Sequence, residues 1–384
     1  MRNKNERVIV DLGASSHTLL QGVLGEDGQR ELKAMALHPS AGYENGNITD
    51  VELFEHSFRA LMDDLVSQTG EHINKINVVG MSTNEVFSLC SRGVAEVKQG
   101  VIHPYDLETA MISAQTVSLP DEYTLIHVIP IYYEVDHRVK VVDPVGLSGR
   151  RLEGYFHILA VPKTLVENHK KVFKKLNIQV DQFVLSSVVS NASSYDYQNA
   201  CQLRFDFSAH ATRVAVYNDG ACVALASVPY GGNHVDQDIS VCCKLSKQDA
   251  EQVKISFLQH GFTNRLSQEQ QHLYDVIYAR YEEILQLLFK QIASHVKQGQ
   301  KCSFICAGSA YSPSMIDRIF HRLWPEIELE HCHVDSGIQI NHANWTAYQL
   351  FEYACSQSQH VDLYQSKSLL QFLRKCKNWL EYHF

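Results

Sequence analysis

No stretch of this 384-residue chain holds eighteen apolar residues in a row, so a membrane-spanning helix is not expected. The start, Met1-Arg2-Asn3-Lys4-Asn5-Glu6, has no apolar leader region and runs straight into a β-branched segment. The protein is therefore expected to be made and kept in the cytoplasm, with any membrane contact peripheral. An excess of positive charge is missing too: 34 Lys and Arg stand against 43 Asp and Glu, a net charge of −9. That argues against a nucleic-acid binder, whose footprint is a basic domain. The ten cysteines contain no Cys-x-x-Cys pair, so reduced thiols are expected rather than a disulfide framework. Cys242 and Cys243 are adjacent, and His331-Cys332-His333 has strand character, with side chains alternating faces; neither is read as a metal site. What is present is an ordinary composition, 45% apolar and 20% charged, in a chain long enough for two or more domains.

The chain is organised around Val8-Ile9-Val10-Asp11-Leu12-Gly13-Ala14-Ser15-Ser16-His17-Thr18-Leu19. A β-branched run reaches an Asp, a Gly and two hydroxyl residues, and then turns apolar again, which predicts a tight hairpin. Such a turn aims a carboxylate, a hydroxyl and backbone N–H groups at one point, where a phosphate or its magnesium fits. Asp-x-Gly also occurs at purely structural turns. A second copy stands half a chain away, in Leu203-Arg204-Phe205-Asp206-Phe207-Ser208-Ala209-His210-Ala211-Thr212-Arg213-Val214. Two such hairpins predict an internally duplicated architecture with a cleft between its halves. This resembles the actin, Hsp70 and sugar-kinase superfamily, an α/β fold of two lobes in which each lobe contributes one phosphate loop.

Asn47-Ile48-Thr49-Asp50 is expected to cap a helix whose Leu53, Phe54, Phe58, Leu61, Met62 and Leu65 keep helical spacing. The segment from Phe87 to Val101 alternates as a strand, a helix opens at Asp106, and a long strand interrupted by Pro130 runs from Leu125 to Asp136. His127-Val128-Ile129-Pro130 followed by Asp143-Pro144-Val145-Gly146-Leu147-Ser148-Gly149-Arg150-Arg151 resembles the segment "HVIP…NPVGLSG.R" of the bacterial cell-division protein family FtsA. Further ordered likenesses are Val180-Asp181-Gln182, Val228-Pro229-Tyr230-Gly231-Gly232-Asn233, Asp249-Ala250-Glu251 and Arg280-Tyr281-Glu282-Glu283-Ile284-Leu285. The resemblance implies subdomain 1A over 7–81 and 161–200, an inserted α+β subdomain 1C over 82–160, and 2A over 201–240 and 301–340. It also implies 2B over 241–300, a last helix of 1A over 341–355, a linker over 356–366 and an amphipathic tail over 367–384.

The same resemblance implies a site for ATP with magnesium: Asp11, Gly13 and Ser15 in the first phosphate loop, Asp206 and Ser208 in the second. Glu251 and Lys254 would face the ribose or adenine, Gly308 the adenine, and Asp11 and Asp206 the metal. The chain departs from the family's "DIGGGT.D", since Ser208, Ala209 and His210 stand where glycines let backbone amides approach a phosphate. Arg213 replaces a downstream acid; it or His210 offers a cation for a phosphate instead. No catalytic base is evident. The expectation is no enzyme, with ATPase activity weak or absent.

On a helical wheel of the tail, Leu369, Phe372, Leu373, Cys376, Trp379, Leu380 and Phe384 share one face, with Leu370 at its edge. Arg374 and Lys375 fill the other face, with Lys377 adding a further cation. A terminal helix docked on the protein's own core has the same periodicity. The cationic bias in an acidic chain, the aromatic residues and the polar linker describe an interfacial membrane helix, which the FtsA family also has.

The function these likenesses imply is a scaffold at the division septum, on the cytoplasmic face of the bacterial inner membrane. It would polymerise with itself, tether FtsZ and recruit later divisome membrane proteins. Arg280 and Tyr281 would receive the FtsZ tail. Alternatives are an actin-like adaptor of a pilus or secretion assembly and a superfamily small-molecule kinase or phosphatase.

Overall fold

The computed structural model describes residues 5–25, 28–189, 201–260, 267–296, 301–307, 312–325, 327–331 and 344–356. The tail 367–384, most of the linker and Gly308 lie outside these residues.

Two five-stranded sheets repeat one topology. In the first, β1 (Glu6–Leu12), β2 (Ser16–Leu24) and β3 (Arg30–Pro39) form an antiparallel meander. The small hairpin β4 (Tyr43–Glu44) and β5 (Asn47–Ile48) leads to α1 (Val51–Thr69). Then β6 (Lys75–Met81) pairs parallel with β1. The inserted domain follows: β7 (Phe87–Glu96), α2 (Pro104–Ala114), β8 (Tyr123–Val135), β9 (Val139–Val141) and β10 (Arg151–Pro162), in the sheet order β7-β10-β8-β9. After α3 (Lys163–Lys175), β11 (Gln179–Leu185) pairs parallel with β6 and ends the first sheet as an edge strand. The second lobe repeats the pattern. β12 (Cys201–Phe207), β13 (Thr212–Asn218) and β14 (Ala221–Val228) form the meander. α4 (Gly232–Cys243), α5 (Lys247–His260) and α6 (Gln268–Ile292) follow. β15 (Lys301–Ala307) pairs parallel with β12, and after α7 (Pro313–Leu323) β16 (Glu328–His331) pairs parallel with β15. The orders β3-β2-β1-β6-β11 and β14-β13-β12-β15-β16 correspond strand for strand, as the duplicated hairpins predict.

Strand alternation decides the layers. Val8, Val10 and Leu12 face a core shared with Phe54, Phe58, Leu61 and Leu65 of α1 and with Val172 and Phe173 of α3. Ile9 faces the other way, onto Ala347, Leu350 and Phe351 of α8 (Trp345–Ser356). Asp50 caps α1 by accepting from Leu53 N, and Gly70 at φ 71° closes it in the left-handed conformation. Leu53, expected on the apolar face, is 54% exposed because it falls in the capping turn. β8 continues through Pro130 rather than breaking there, since the register against β10 slips at this point and a bulge spares the missing N–H. In the second lobe Phe205 and Phe207 pack under α6 and α7. Its opposite sheet face supplies Ala215, Tyr217 and Cys222 to the first lobe's core. Tyr217 donates its hydroxyl to the Val188 carbonyl at 2.8 Å across that junction.

Candidate functional site: the junction of the two acidic hairpins

Both hairpins close on four-residue loops, between Leu12 and His17 in one and Phe207 and Thr212 in the other. The two carboxylates therefore occupy corresponding positions, one residue before the turn. Asp11 is buried and its Oδ1 accepts from Ser186 Oγ at 2.7 Å. Burial pushes its pKa up to about 7, with the Ser186 hydrogen bond opposing; the Asp206 charge adds to the rise and Arg213 opposes it. Gly80 leaves room beside it: a Cβ there would meet the Leu350 side chain and the Ser186 hydroxyl at 2.5 Å, and one of them would have to shift.

The cross-strand partners differ between the lobes. Asp11 lies opposite Thr18, whereas Asp206 lies opposite Arg213. Arg213 is 3% exposed. Its Nη1 donates to Asp206 Oδ2 at 3.2 Å and to Ser208 Oγ at 3.1 Å, and its Nε to the Thr83 carbonyl at 3.3 Å. The expected phosphate-holding cation is thus engaged with the protein's own acid. Burial raises Asp206 as well, against the Arg213 charge and hydrogen bond.

The second loop is closed on itself in the same way. Ser208 N and Oγ both donate to the Ala211 carbonyl, at 3.1 and 2.8 Å. The carbonyls of Ser208 and Ala209 accept from Gly232 N and Asn233 N, the first amides of α4. Gly231 is needed for that approach, since a Cβ would stand 2.2 Å from the Ser208 carbonyl. Amides at a helix start bind anions when free; these two are occupied. Cavities of about 150 Å³ beside Arg213 and about 20 Å³ beside Asp206 flank the junction. The second hairpin does not fit a metal-bound phosphate: the Arg213 guanidinium already occupies the Asp206 carboxylate, and Ser208 N and Oγ are spent on the Ala211 carbonyl.

The remaining expected residues separate. Gly13 approaches the Ser16 carbonyl, which a Cβ would meet at 2.5 Å, and Ser15 is exposed. Glu251 is exposed on α5. Lys254 is buried, and its Nζ donates to Asp236 Oδ2 at 2.7 Å and the Gly232 carbonyl at 3.1 Å, which holds α5 to α4. The charge expected to face the ribose or adenine is thus already paired with Asp236.

Tyr281 is corrected: it is 1% exposed and packs edge-on to Phe207 inside the second core, so it is not offered to a partner. Arg280 lies at the surface but forms a bidentate pair with Asp238, at 2.6 and 3.0 Å, and a further pair with Glu283 at 2.6 Å. Ser186, Thr83 and Asp236 were missed in the sequence; only their three-dimensional neighbours mark them.

Among the described residues one other group gathers ligand-type atoms: Glu134, His137 and Glu153 in the inserted domain, within 4.8 Å of one another. Glu153 is already paired with Arg151 at 2.7 Å and Arg92 at 3.2 Å, so the group is an ion-pair network. A groove of about 650 Å³ lies between β8, α3 and the free edge of β11.

Comparison with known proteins agrees with this geometry. Residues 83–160 match the family model for the SHS2 domain inserted in FtsA, and residues 206–320 match the model for cell division protein FtsA. Cell division protein FtsA of Pseudomonas aeruginosa is 28% identical over 65% of this chain and 60% of its own length. That of Bacillus subtilis is 27% identical over 77% and 71%. Less than two thirds of the Pseudomonas protein is thus spanned. Among solved structures, a chain of the PilM-PilN type IV pilus biogenesis complex has a TM-score of 0.63 at 13% identity, covering 92% of this chain and 99% of that one. MreB5 of Spiroplasma citri bound to AMPPNP has a TM-score of 0.52 at 11% identity, covering 97% and 99%. The fold is that of the actin-like ATPases, and with both FtsA models matched in order across the inserted domain and the second lobe, the chain belongs to the FtsA family of cell-division proteins.

Proposed function

We propose that this protein is a scaffold of bacterial cell division that assembles on the cytoplasmic face of the inner membrane, at the septum, and tethers FtsZ there. The observation that carries this reading is the ordered match of both FtsA models, with the inserted domain in place between β6 and α3. The anchor is residues 367–384. Its cations contribute roughly 1 kcal/mol each near an anionic leaflet, and its apolar face adds on the order of 25 cal/mol per Å² buried. One copy binds reversibly, and a row of copies in a homopolymer gains by avidity. Later divisome membrane proteins are assigned to the groove between β8, α3 and β11, where an edge strand and Lys170 and Lys174 lie together.

Toward ATP and magnesium we propose weak binding without turnover. The misfit at Ser208–Ala211 and the Asp206–Arg213 pair support that reading. A second reading, an adaptor of a pilus assembly, is favoured by the shape shared with the PilM-PilN chain. Co-sedimentation with anionic liposomes, with and without FtsZ, separates the two. The scaffold pellets and brings FtsZ down, whereas the chain lacking 367–384, or carrying Trp379→Glu with Leu380→Glu, stays in solution. Liposome binding by the truncated chain overturns the anchor assignment.

A further inference from the structure

We propose that Arg213 is a built-in replacement for the divalent cation between the two acidic hairpins, so that the junction of the lobes is held by the protein's own charge rather than by a ligand. Three observations meet at this side chain. It stands directly across the ladder from Asp206, where Thr18 stands across from Asp11 in the other hairpin. Its guanidinium reaches three oxygens: the Asp206 carboxylate and Ser208 hydroxyl of its own lobe, and the Thr83 carbonyl just after β6 of the other. In the loop beside it Ser208 N and Oγ both donate to the Ala211 carbonyl, so neither is free for a phosphate.

A cation here answers the charge of Asp206, and that of Asp11 when it is ionised. Asp11 and Asp206 sense each other, and Arg213 offsets both. In a junction this buried, two carboxylates without a counter-charge are costly, and removing one partner of a buried pair leaves the other uncompensated. A divalent ion answers that need in oxygen-lined sites. A guanidinium answers it permanently, and its fixed fork bridges several oxygens at once. The contact from Arg213 to the Thr83 carbonyl of the other lobe is then made without a bound ion.

The test is thermal unfolding of the full chain with and without 1 mM Mn²⁺, and with magnesium-ATP. The wild type is expected to be indifferent to Mn²⁺ and to shift by no more than about 1 °C in magnesium-ATP, as weak binding implies. Arg213→Ala is expected to unfold about 3 °C lower or more, and to regain at least half of that loss in Mn²⁺, because Asp11 and Asp206 then take up the ion. Arg213→Lys, which keeps the charge, is expected to stay insensitive to Mn²⁺; it keeps the proposal testable if the alanine variant does not fold. Strong stabilisation of the wild type by magnesium-ATP, or an alanine variant as stable as wild type and indifferent to Mn²⁺, overturns the proposal. Neither measurement uses lipid or FtsZ, so it stands or falls apart from the scaffold reading.

Discussion

The backbone N–H of Leu185, at the end of β11, donates to Nε2 of His127 in β8 at 2.9 Å, tying the inserted domain to the first sheet. That nitrogen accepts, so the bond requires a neutral ring. Burial first, and the nearby His157 second, lower the His127 pKa from 6.5 to about 4. The unfolded chain takes up its proton near 6.5 and the folded one only near 4, so this contribution is complete above pH 6.5 and is lost as pH falls toward 4. Between pH 7.5 and 5 the wild type should lose about 2 kcal/mol relative to His127→Gln, whose carbonyl oxygen accepts without titrating. Urea unfolding at the two pH values measures it; a pH-independent difference would show that the histidine does not titrate in this way.

Gly93 in β7 lies against α2, where a Cβ would stand 1.7 Å from the Ala110 carbonyl and 2.6 Å from Ala114 N. Both contacts are backbone, so no rotamer relieves them. Gly93→Ala should therefore destabilise the inserted domain by about 3 kcal/mol or more. Hydrogen exchange should show lost protection in β7 and α2, with the second lobe unchanged.

Lys254 and Asp236 form a buried pair between α4 and α5. Lys254→Ala leaves the buried Asp236 carboxylate without its partner and should cost about 3–5 kcal/mol. The double change Lys254→Met with Asp236→Leu should recover most of that loss. Denaturation midpoints of the two variants decide this, and equal losses would mean that the pair's geometry matters more than its charge.

Arg280 is clamped to Asp238 and Glu283, so its part in holding an acidic FtsZ tail is to be separated from its part in joining α4 to α6. Asp238→Asn with Glu283→Gln removes both charge partners of the guanidinium without removing it. If Arg280 receives the tail, this variant should bind a labelled tail peptide at least as tightly as wild type, and Arg280→Glu about tenfold more weakly, a loss near 1.4 kcal/mol. Fluorescence anisotropy reads both; equal affinity in all three chains would place the tail elsewhere.

The sequence by itself determined the duplicated hairpins, the inserted domain and the family, because strand alternation, turn chemistry and ordered motifs are local signals. It also showed that Ser208, Ala209 and His210 replace glycines, which is a statement about backbone freedom that any chain carries in its residue types. What only the tertiary structure decided is how charges are used. Arg213 read as a cation available to a phosphate, and Lys254 as one available to a ribose; both are neutralised by acids that only folding brings near, Asp206 across a ladder and Asp236 on another helix. Tyr281 beside Arg280 read as one surface, but a helix turns about 100° per residue, so neighbours in sequence point to different sides. Whether Tyr281 met solvent or Phe207 depended on which face of α6 the second sheet covered. Pairing and burial are properties of the assembled layers, and a buried charge is defined by the partner that long-range packing supplies.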